Sequence, residues 1–327
     1  MTVVRATLFV AALAAAGACA SPPPSGEPVR ITIPRGASLA AVADTLHAHG
    51  VIRSPRRFRL YATVMGRDRA IQAGIYDLHR DRPVREVLAA LVSGRAAFQR
   101  LVIPEGLMLF EIAGEVERQL GIPSDTFLAA AGDSALLARV APPGTPSLEG
   151  YLYPSTYFVP LPATAPALAA QMVGQFEEAW QSAWNARLDA LGMTRHALVT
   201  LASIIEAEVR HGRDRPFVSS VYHNRLRAGW RLQADPTVIY ALGRRRRLYE
   251  KDYLYPSPYN TYLIDGLPPG PIGQPSAASL EAALYPVDSG FFFLVARADG
   301  HHIFSRTLRE HRAAVDRIRA GRNGGGR

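Results

Sequence analysis

Apolar and polar residues alternate from Val29 to Ile33, as they do in a strand with one buried face. Two segments with helical periodicity follow, and each begins with a serine that suits an N-cap and ends at a glycine. The elements predicted in this region are a strand at 29–33, helices beginning at Ser38 and Ser54, a strand at 71–78 and a further helix at 84–91. This order predicts a small β-α-α-β module within residues 29–98.

The rest of the chain is dominated by apolar residues three and four positions apart, which predicts amphipathic helices. The predicted helices are 107–120, a short one capped by Ser124, 167–188, one capped by Thr194 that runs to Arg210, 217–226, 279–284 and 309–320. A loop rich in Pro and Tyr is predicted at 142–166, a segment rich in Pro, Gly, Tyr and Asn with short helices at best at 232–275, and a strand at 291–296. Strands near both ends with helices between them predict an α+β fold. We expect a helix-rich second domain at 99–320 and a disordered tail at 321–327.

Residues 1–20 form an apolar leader with one early arginine and small residues at its end. The apolar run is too short to span a bilayer comfortably and suits the central region of a signal peptide. The segment from Ala16 to Cys19 resembles a bacterial lipobox, which would place a lipid on Cys19, although Ala16 stands where leucine is usual. Cleavage after Ala20 and an uncleaved short anchor are the alternatives. Each of the three places the body outside the cytoplasm, with residues 21–28 as an extended linker.

The length of 327 residues favours two globular units, and the hydrophobic share of 48% is ordinary for globular proteins. The net charge of +9 comes almost entirely from arginine, since Lys251 is the only lysine. This charge indicates either a solvated basic surface or attraction to an anionic polymer or to lipid headgroups. We do not expect nucleic acid as a partner, because the basic residues are scattered and no nucleic-acid-binding module is recognisable.

Cys19 in the leader is the only cysteine, so the folded body has no thiol for a disulfide, a zinc-thiolate site or a nucleophile. The histidines His301, His302 and His311 lack the spacing of a known metal motif. A Gly-x-Ser-x-Gly elbow and a phosphate-binding glycine loop are also absent from the sequence. We therefore expect neither a metal nor a cofactor.

Two acids, Glu206 and Glu208, stand in the apolar helical segment from Leu201 to Arg210. A carboxyl group among apolar side chains is costly to ionise, which suits a general acid. At about 100° per residue, Glu208 falls on the apolar face with Leu201 and Ile205, whereas Glu206 falls to one side. Periodicity alone therefore favours Glu208 as the buried acid, and both remain candidates.

A later segment, 222–237, interleaves Tyr, Asn, Gln and Asp in a way that suits hydrogen bonding to sugar hydroxyls and amides. The same residue types also simply form turns, so the composition alone indicates little. Two prolines between glycines at 266–271 predict a stiff, sharply bent loop, which is either an ordinary surface loop or the rigid edge of a cleft.

Taken together, these stretches closely resemble the MltG/YceG-like family of endolytic murein transglycosylases. The motifs that carry the resemblance are IPEG at 103–106, LEGYLYPSTY at 148–157, ASIIEAE at 202–208, VYHNRL at 221–226, LQADPTVIYALG at 232–243, SPYNTY at 257–262, GLPPGPI at 266–272 and a G-H-x-x-F-S pattern at 300–305. The resemblance extends from Val29 to about Arg319. It implies a LysM-like module at 29–98, followed by a YceG-like catalytic domain.

The resemblance aligns Glu206 with the family's catalytic glutamate and leaves Glu208 as a supporting or alternative acid. The implied reaction is lytic: Glu206 donates a proton to the glycosidic oxygen that leaves C1 of N-acetylmuramic acid. Its carboxylate then accepts the proton of the same sugar's C6 hydroxyl, as that oxygen attacks C1. The new end is 1,6-anhydromuramic acid, and a second carboxylate across the bond is not needed.

The resemblance also implies peptidoglycan glycan strands as the substrate and trimming of nascent strands beside peptidoglycan synthases. It places the protein at the cell inner membrane, with the catalytic domain facing the periplasm. The candidate glycan-binding residues are Asn224, Gln233, Asp235, Tyr259, Asn260 and Tyr262.

Two positions depart from the family pattern. Ser155 stands where the family commonly has aspartate and Ser276 where it commonly has glycine, and neither is expected to touch the proposed acid. Two other functions compete with the lytic one. A lysozyme-type hydrolase would use the same acid with water as the nucleophile, and a noncatalytic peptidoglycan-binding scaffold would use Glu206 only structurally.

Overall fold

The computed structural model describes residues 27–34, 36–80, 82–94 and 98–324. The leader with Cys19, most of the predicted linker and residues 325–327 of the predicted tail lie outside this part of the chain. The described residues form many helices and three small two-stranded sheets, which confirms the predicted α+β class.

The chain divides into two compact units, each with its own hydrophobic core. Unit 1 consists of Met1–Phe98 with Pro160–Pro162, and unit 2 of Gln99–Val159 with Ala163–Arg327. The segment Pro160–Pro162 thus belongs to unit 1, although it lies within the second domain predicted at 99–320.

Unit 1 contains β1 (Val29–Ile33), α1 (Leu39–Ala48), α2 (Pro55–Val64), β2 (Gly74–Leu78) and α3 (Val84–Val92). β1 pairs antiparallel with β2, which places Ile31 opposite Tyr76, and both side chains are fully buried. Ser38 and Ser54 each accept a hydrogen bond from the backbone nitrogen three residues on, at 3.2 and 3.4 Å, so both predicted N-caps are confirmed. The β-α-α-β order is confirmed, whereas the LysM-like assignment stays a prediction.

Unit 2 contains the remaining elements, apart from the outermost residues of two strands. The elements are β3 (Phe98–Ile103), α4 (Leu109–Leu120), α5 (Ser124–Ala130), α6 (Ser134–Val140), β4 (Ser155–Pro160), α7 (Ala165–Ala179), α8 (Ala183–Leu191), α9 (Arg195–Glu208), α10 (Arg215–Arg227), α11 (Asp235–Ala241), α12 (Ala277–Leu284), β5 (Phe293–Ala296), β6 (His302–Ser305) and α13 (Leu308–Gly324). Short 3₁₀ turns cover Gly212–Asp214 and Glu250–Leu254. β3 pairs with β4, and β5 pairs antiparallel with β6.

The single helix predicted at 167–188 is wrong, because α7 ends at Ala179 and α8 begins at Ala183. Trp180 lies between them with extended backbone angles of φ −76° and ψ 109°. Its indole Nε1 donates to Asn185 Oδ1 at 3.0 Å, and its ring packs edge-on against Trp184 at 5.2 Å. The apolar pattern continues through the break, so periodicity does not reveal it.

The structure has further elements with no predicted counterpart, namely β3, α6, β4 and β6. β4 lies inside the loop predicted at 142–166, and β6 has only four residues. Strands this short carry too little alternation to stand out from a loop. α13 runs on to Gly324, into the tail predicted as disordered from residue 321.

Helix α9 lies at the centre of the core of unit 2. Thr194 Oγ1 accepts a hydrogen bond from Ala197 N at 3.1 Å, which confirms the predicted N-cap. Every residue from Leu198 to Ile205 is buried, because α8, α10, α11 and α12 pack around the helix. Its last turn, with Glu206 and Glu208, is only partly buried and carries both acids to the edge of the core.

Within the described residues, no single helix is long and apolar enough to cross a membrane. α8 and α9 pass such a test only as a pair, by length and composition, and they meet at an angle of 89°. The predicted leader lies outside the described residues, so its role stays a prediction.

Candidate active site

Glu206 lies in the last turn of α9, with 9% of its side chain exposed. Its Oε2 accepts hydrogen bonds from the backbone nitrogen of Ser276, at 3.0 Å, and from the Ser276 hydroxyl. Its Oε1 faces Arg215 Nη2 at 3.6 Å. A Cβ placed on Gly106 would lie 3.6 Å from Glu206 Cγ, so the IPEG turn lies directly over the stem of this side chain. Two segments distant in sequence and the nearby start of α10 therefore converge on Glu206.

Ser276 touches the proposed acid, which corrects the expectation that this position lies away from it. Its hydroxyl also caps α12 by accepting a hydrogen bond from Ser279 N at 3.2 Å. The preceding chain runs beside the IPEG turn, since Gly106 N donates to Gln274 O at 2.7 Å and Gln274 N donates to Leu107 O at 2.9 Å. The contact joins residues 70 positions apart, which is why the sequence pattern does not reveal it.

Two further charged groups lie beside Glu206. Partial loss of hydration raises the pKa of the exposed Glu105, the negative charge of Glu206 raises it further, and Arg215 opposes both effects. Arg215 is the first residue of α10, is 16% exposed, and has no hydrogen-bond partner for its Nε among the described residues. Neither Glu105 nor Arg215 is among the predicted site residues, although Glu105 stands in the IPEG motif.

Glu208 makes a separate set of contacts. Its Oε2 accepts a hydrogen bond from the Tyr222 hydroxyl at 3.4 Å, and its Oε1 lies 3.6 Å from His302 Nε2. The Glu208 side chain is 15% exposed, more than that of Glu206. Glu208 therefore has the buried partners that a supporting acid needs, but it is not the more buried of the two acids.

His302 is held between two carboxylates. The Asp214 Oδ2 accepts a hydrogen bond from the backbone nitrogen of His302 at 2.7 Å and another from its Nδ1 at 3.1 Å. Burial alone would lower the pKa of His302, but the nearby carboxylates of Glu208 and Asp214 outweigh burial and raise it. Burial would raise the pKa of Asp214, yet its bonds to His302 hold it below the usual range. Glu208 therefore faces a histidine that Asp214 holds in place.

Asp235 begins α11 and is bound by two tyrosines. Its Oδ1 accepts a hydrogen bond from the Tyr262 hydroxyl at 2.7 Å, and its Oδ2 accepts a longer one from Tyr253 at 3.4 Å. Partial loss of hydration raises the pKa of Asp235, although the residue is exposed, and the hydrogen bond from Tyr262 offsets this only in part. Asp235 is therefore a further acid beside Glu208, and two tyrosine hydroxyls donate to it.

Two cavities lie beside Glu208 and Asp235. One, of about 280 Å³, is also lined by Gln233 and Tyr262, and the other, of about 350 Å³, is also lined by Arg210. Gln233 has a left-handed backbone with φ 47°, a conformation that costs energy in a residue other than glycine and is often found at functional sites. Three predicted glycan-binding residues thus share a cavity with Glu208.

Asn224 and Asn260 do not fit the predicted direct contact with glycan, because their side-chain amides are already hydrogen-bonded within the protein. Asn224 Nδ2 donates to two backbone carbonyls at 2.8 Å each, and its Oδ1 accepts from Arg227 at 2.6 Å. Asn260 is fully buried, donates to two carbonyls at 3.0 and 2.9 Å, and accepts from Tyr262 N at 3.0 Å. Asn260 therefore holds the loop that carries Tyr262.

Tyr259 lines a different cavity, of about 380 Å³, with His196 and prolines from three loops. His196 Nε2 lies 2.8 Å from Pro269 O, which can only accept, so Nε2 carries the hydrogen. Nδ1 then accepts from the Tyr151 hydroxyl at 2.7 Å. These bonds anchor the stiff loop predicted at 266–271 to α9.

Glu149 is a buried acid that sequence reasoning missed, and its only signal is its place in the LEGYLYPSTY motif. It is 5% exposed, and its two oxygens accept the hydrogen bond of Leu109 N at 3.1 and 3.0 Å, at the start of α4. Gln274 Nε2 donates to its Oε1 at 2.8 Å. Burial raises the pKa of Glu149 to about 8, against these hydrogen bonds. Through Gln274, Glu149 supports the segment that ends at Ser276.

The comparisons with known proteins agree with one another. A model of the YceG-like family matches residues 31–317. The endolytic murein transglycosylase of Bacillus subtilis (strain 168) is 31% identical over 310 residues, which cover 90% of this chain and 86% of the relative. The enzyme of the same name from Streptococcus pneumoniae serotype 2 is 27% identical over 315 residues, covering 86% of this chain and 57% of the relative. A crystal structure of a yceG-like protein from Listeria monocytogenes has a TM-score of 0.62 at 33% identity, covering 89% of this chain and 100% of that one.

Proposed function

Because this chain belongs to the YceG-like family, we propose that it is an endolytic murein transglycosylase, an enzyme that cuts peptidoglycan glycan strands. The names of its relatives in Bacillus subtilis and Streptococcus pneumoniae support this function. The bond cut is the one between N-acetylmuramic acid and N-acetylglucosamine, and the new strand end is 1,6-anhydromuramic acid.

Glu206 is the catalytic acid of this proposal. The observation that supports it best is the fixed carboxylate: Oε2 is held by two donors of Ser276, while Oε1 faces Arg215. A group that must transfer one proton in each direction works best when its geometry is fixed before substrate binds. Glu206 has this geometry at the end of a helix that is otherwise buried.

The reaction then needs only one carboxyl group. Glu206 donates its proton to the glycosidic oxygen as the bond from this oxygen to C1 of N-acetylmuramic acid breaks. The C6 hydroxyl oxygen of the same sugar forms a new bond to C1 and returns its proton to Glu206. Atoms and protons balance, and no water is consumed, so Glu206 is ready for another cycle.

Gln233, Asp235, Tyr259 and Tyr262 are the proposed glycan contacts. Gln233, Asp235 and Tyr262 line one cavity with Glu208, and hydroxyl, amide and carboxylate groups there suit sugar hydroxyls and acetamido groups. Tyr259 lines the separate cavity beside the proline-rich loop, where an aromatic ring suits the apolar face of a sugar. Asn224 and Asn260 position the loops.

A second candidate is a lysozyme-type hydrolase with Glu208 as the acid. It is favoured by one specific observation, that Glu208 and Asp235 line the same two cavities. Two carboxyl groups flanking a scissile bond are what a hydrolase that activates water requires.

The proposed setting is the inner membrane, with unit 2 facing the periplasm beside peptidoglycan synthases, where cutting would end the growth of nascent strands. The apolar leader at 1–20 supports export, by a lipid on Cys19, by an uncleaved anchor or by cleavage after Ala20. A LysM-like role for unit 1 in holding glycan belongs to the same proposal.

The test is mass spectrometry of uncrosslinked glycan strands after incubation with the chain from Glu27 and with its Glu206→Gln and Glu208→Gln forms. We expect internal fragments with 1,6-anhydromuramic ends from the wild type and from Glu208→Gln at a reduced rate. We expect Glu206→Gln to cut at least about a thousandfold more slowly, because glutamine cannot donate or accept the proton. Circular dichroism controls for folding.

Other outcomes would change the assignment. Loss of cutting in Glu208→Gln alone would move the acid to Glu208. Reducing muramic ends would indicate the hydrolase, and intact strands with every folded form would indicate a binding scaffold.

A further inference from the structure

Helix α2 of unit 1 exposes apolar side chains on its outer face. Leu60 is 66% exposed, Val64 is 74% exposed, and Met65 at the end of the helix is 53% exposed. Leu60 and Val64 are four residues apart, so they lie one above the other on the same face. A contiguous exposed patch of this kind marks an interaction surface more often than isolated apolar residues do.

Arginines flank this patch on both sides along the sequence. Residues 53–69 contain a single acid, Asp68, and six arginines, namely Arg53, Arg56, Arg57, Arg59, Arg67 and Arg69. Within the described part of the chain, none of the six forms an ion pair or a hydrogen bond through its side chain, and all but the half-buried Arg59 are exposed. Arg56 precedes Leu60 by one helical turn, so charge and apolar surface share a face.

The presence of both apolar and basic side chains favours one kind of partner over another. A soluble anionic polymer would need the arginines but not the exposed Leu60, Val64 and Met65. A bilayer surface with anionic lipids uses both, because the apolar side chains enter the headgroup boundary while the guanidinium groups pair with phosphates.

The position of unit 1 in the chain favours the same partner. Only residues 21–28 separate the predicted leader from β1, and eight residues reach at most about 28 Å when fully extended. A leader attached to a membrane would therefore keep the start of β1 within that distance of the lipid surface.

We propose that the α2 face, defined as Leu60, Val64 and Met65 with the six arginines of residues 53–69, docks on anionic phospholipid headgroups of the membrane. The proposal goes beyond the cleavage reaction, and it concerns only unit 1. Docking would fix how unit 1 meets the bilayer, which a flexible linker by itself cannot do.

The first test is cosedimentation of the chain from Glu27 with vesicles of phosphatidylcholine, with and without phosphatidylglycerol. Both hydrophobic cores consist of residues from Val29 onward, so this chain keeps them complete. We expect binding only to vesicles with phosphatidylglycerol, and weaker binding at high salt. Arg56→Gln with Arg57→Gln should weaken binding about thirtyfold, at about 1 kcal/mol for each arginine. Leu60→Ser with Val64→Ser should weaken it about tenfold.

Matched controls use exposed residues of unit 2. Arg309→Gln with Arg312→Gln removes the same charge from α13, and Leu128→Ser with Leu308→Ser removes apolar side chains that are also exposed, by 38% and 46%. We expect less than about a twofold change in either control. Equal losses in the α2 and control pairs would mean nonspecific adsorption and would overturn the proposal.

The second test locates the contact. Cys19 lies outside the chain from Glu27, so Val64→Cys and Leu128→Cys each give a single thiol for an environment-sensitive fluorophore. The label at position 64 should shift to the blue on phosphatidylglycerol vesicles, and the label at 128 should not. An unshifted label at position 64, on protein that still cuts soluble strands, would reject membrane docking and leave the patch to a protein partner.

Discussion

Glu206 and Glu208 are two positions apart on α9, so about 200° of helical rotation separates their side chains. Glu206 meets Ser276, Arg215 and the IPEG turn, whereas Glu208 meets Tyr222 and His302. The two acids therefore work in different surroundings. Periodicity ranks them only by their direction relative to the helix, and the loops that cover the end of α9 decide their burial.

Ser276 allows the two hydrogen bonds on Glu206 to be separated. Its backbone has φ −71°, which proline can adopt, so Ser276→Pro replaces the N–H donor by a ring carbon, which also displaces Glu206 Oε2 from its present position. We expect Ser276→Ala and Ser276→Gly to keep cutting within about fivefold, because the N–H to Oε2 remains. Ser276→Pro should lose a further ten- to hundredfold, the usual worth of a hydrogen bond to a charged group. Initial cleavage rates of the wild type and the three Ser276 variants measure these differences.

The control for this series is Ser38→Gly in unit 1, which removes a comparable N-cap far from the site in sequence. It should cost about 1 kcal/mol of stability or less and leave the cleavage rate unchanged. If Ser276→Pro cuts as fast as Ser276→Ala, the N–H plays no part in holding the acid.

Glu149 predicts a pH dependence of stability. Its pKa is raised from the ordinary 4.5 to about 8, so the folded state holds this proton more tightly than the unfolded state does. Its effect on stability is therefore absent below about pH 4.5, and the free energy of unfolding falls as the pH rises from there to about 8, by up to about 5 kcal/mol. Urea unfolding at pH 6 and pH 9 should show the loss.

The Glu149→Gln form should lose much less stability over the same pH interval, because glutamine accepts the bonds of Leu109 and Gln274 but does not ionise. A parallel loss in both forms would assign the pH dependence to other groups. Cleavage rates of the two forms should agree near pH 6, where Glu149 is largely protonated.

At the scale of elements, the turn at Gly150, between α6 and β4, depends on this one glycine. Gly150 has φ +84°, and a Cβ there would lie 2.4 Å from Pro271 and 3.1 Å from Val199 Cγ1. Gly144 has nearly the same φ, +86°, but a Cβ there would meet nothing within 4 Å. Alanine substitutions at these two glycines therefore separate the cost of backbone strain from the cost of a steric clash.

We expect Gly144→Ala to cost about 1 kcal/mol, the strain of a left-handed backbone. Gly150→Ala adds a clash with the proline-rich loop and should cost about 3 kcal/mol or more, with reduced cleavage. Urea unfolding of both variants measures the difference. Equal costs would mean that the loop moves freely away from Gly150.

Elements with strong local signals are those that the sequence predicts well. β1, the caps of α1, α2 and α9, and the helical character of unit 2 depend on alternation, helical spacing and capping serines or threonines. The break at Trp180 and the short strands β4 and β6 depend on contacts across the core, which local spacing does not encode.

At the scale of the whole molecule, the two hydrophobic cores share no residue. We therefore expect the chain from Gln99 to Arg327 to fold and to cut soluble strands at a rate within about threefold of the longer chain. It should not bind phosphatidylglycerol vesicles, since α2 is absent. Circular dichroism, cleavage and cosedimentation measure the three properties, and an unfolded product would mean that unit 2 depends on unit 1.

The sequence by itself determined the α+β class, the β-α-α-β order of the first unit and the motifs that pointed to the family. Each of these depends on local residue spacing or on short sequence motifs in a fixed order. Only the tertiary structure decided what surrounds the acids. Ser276 reaches Glu206 from 70 positions away, and Asn260 turns inward to support its loop instead of facing solvent. Such contacts depend on how distant loops pack over the end of α9, and a residue's type and neighbours in sequence do not fix that packing.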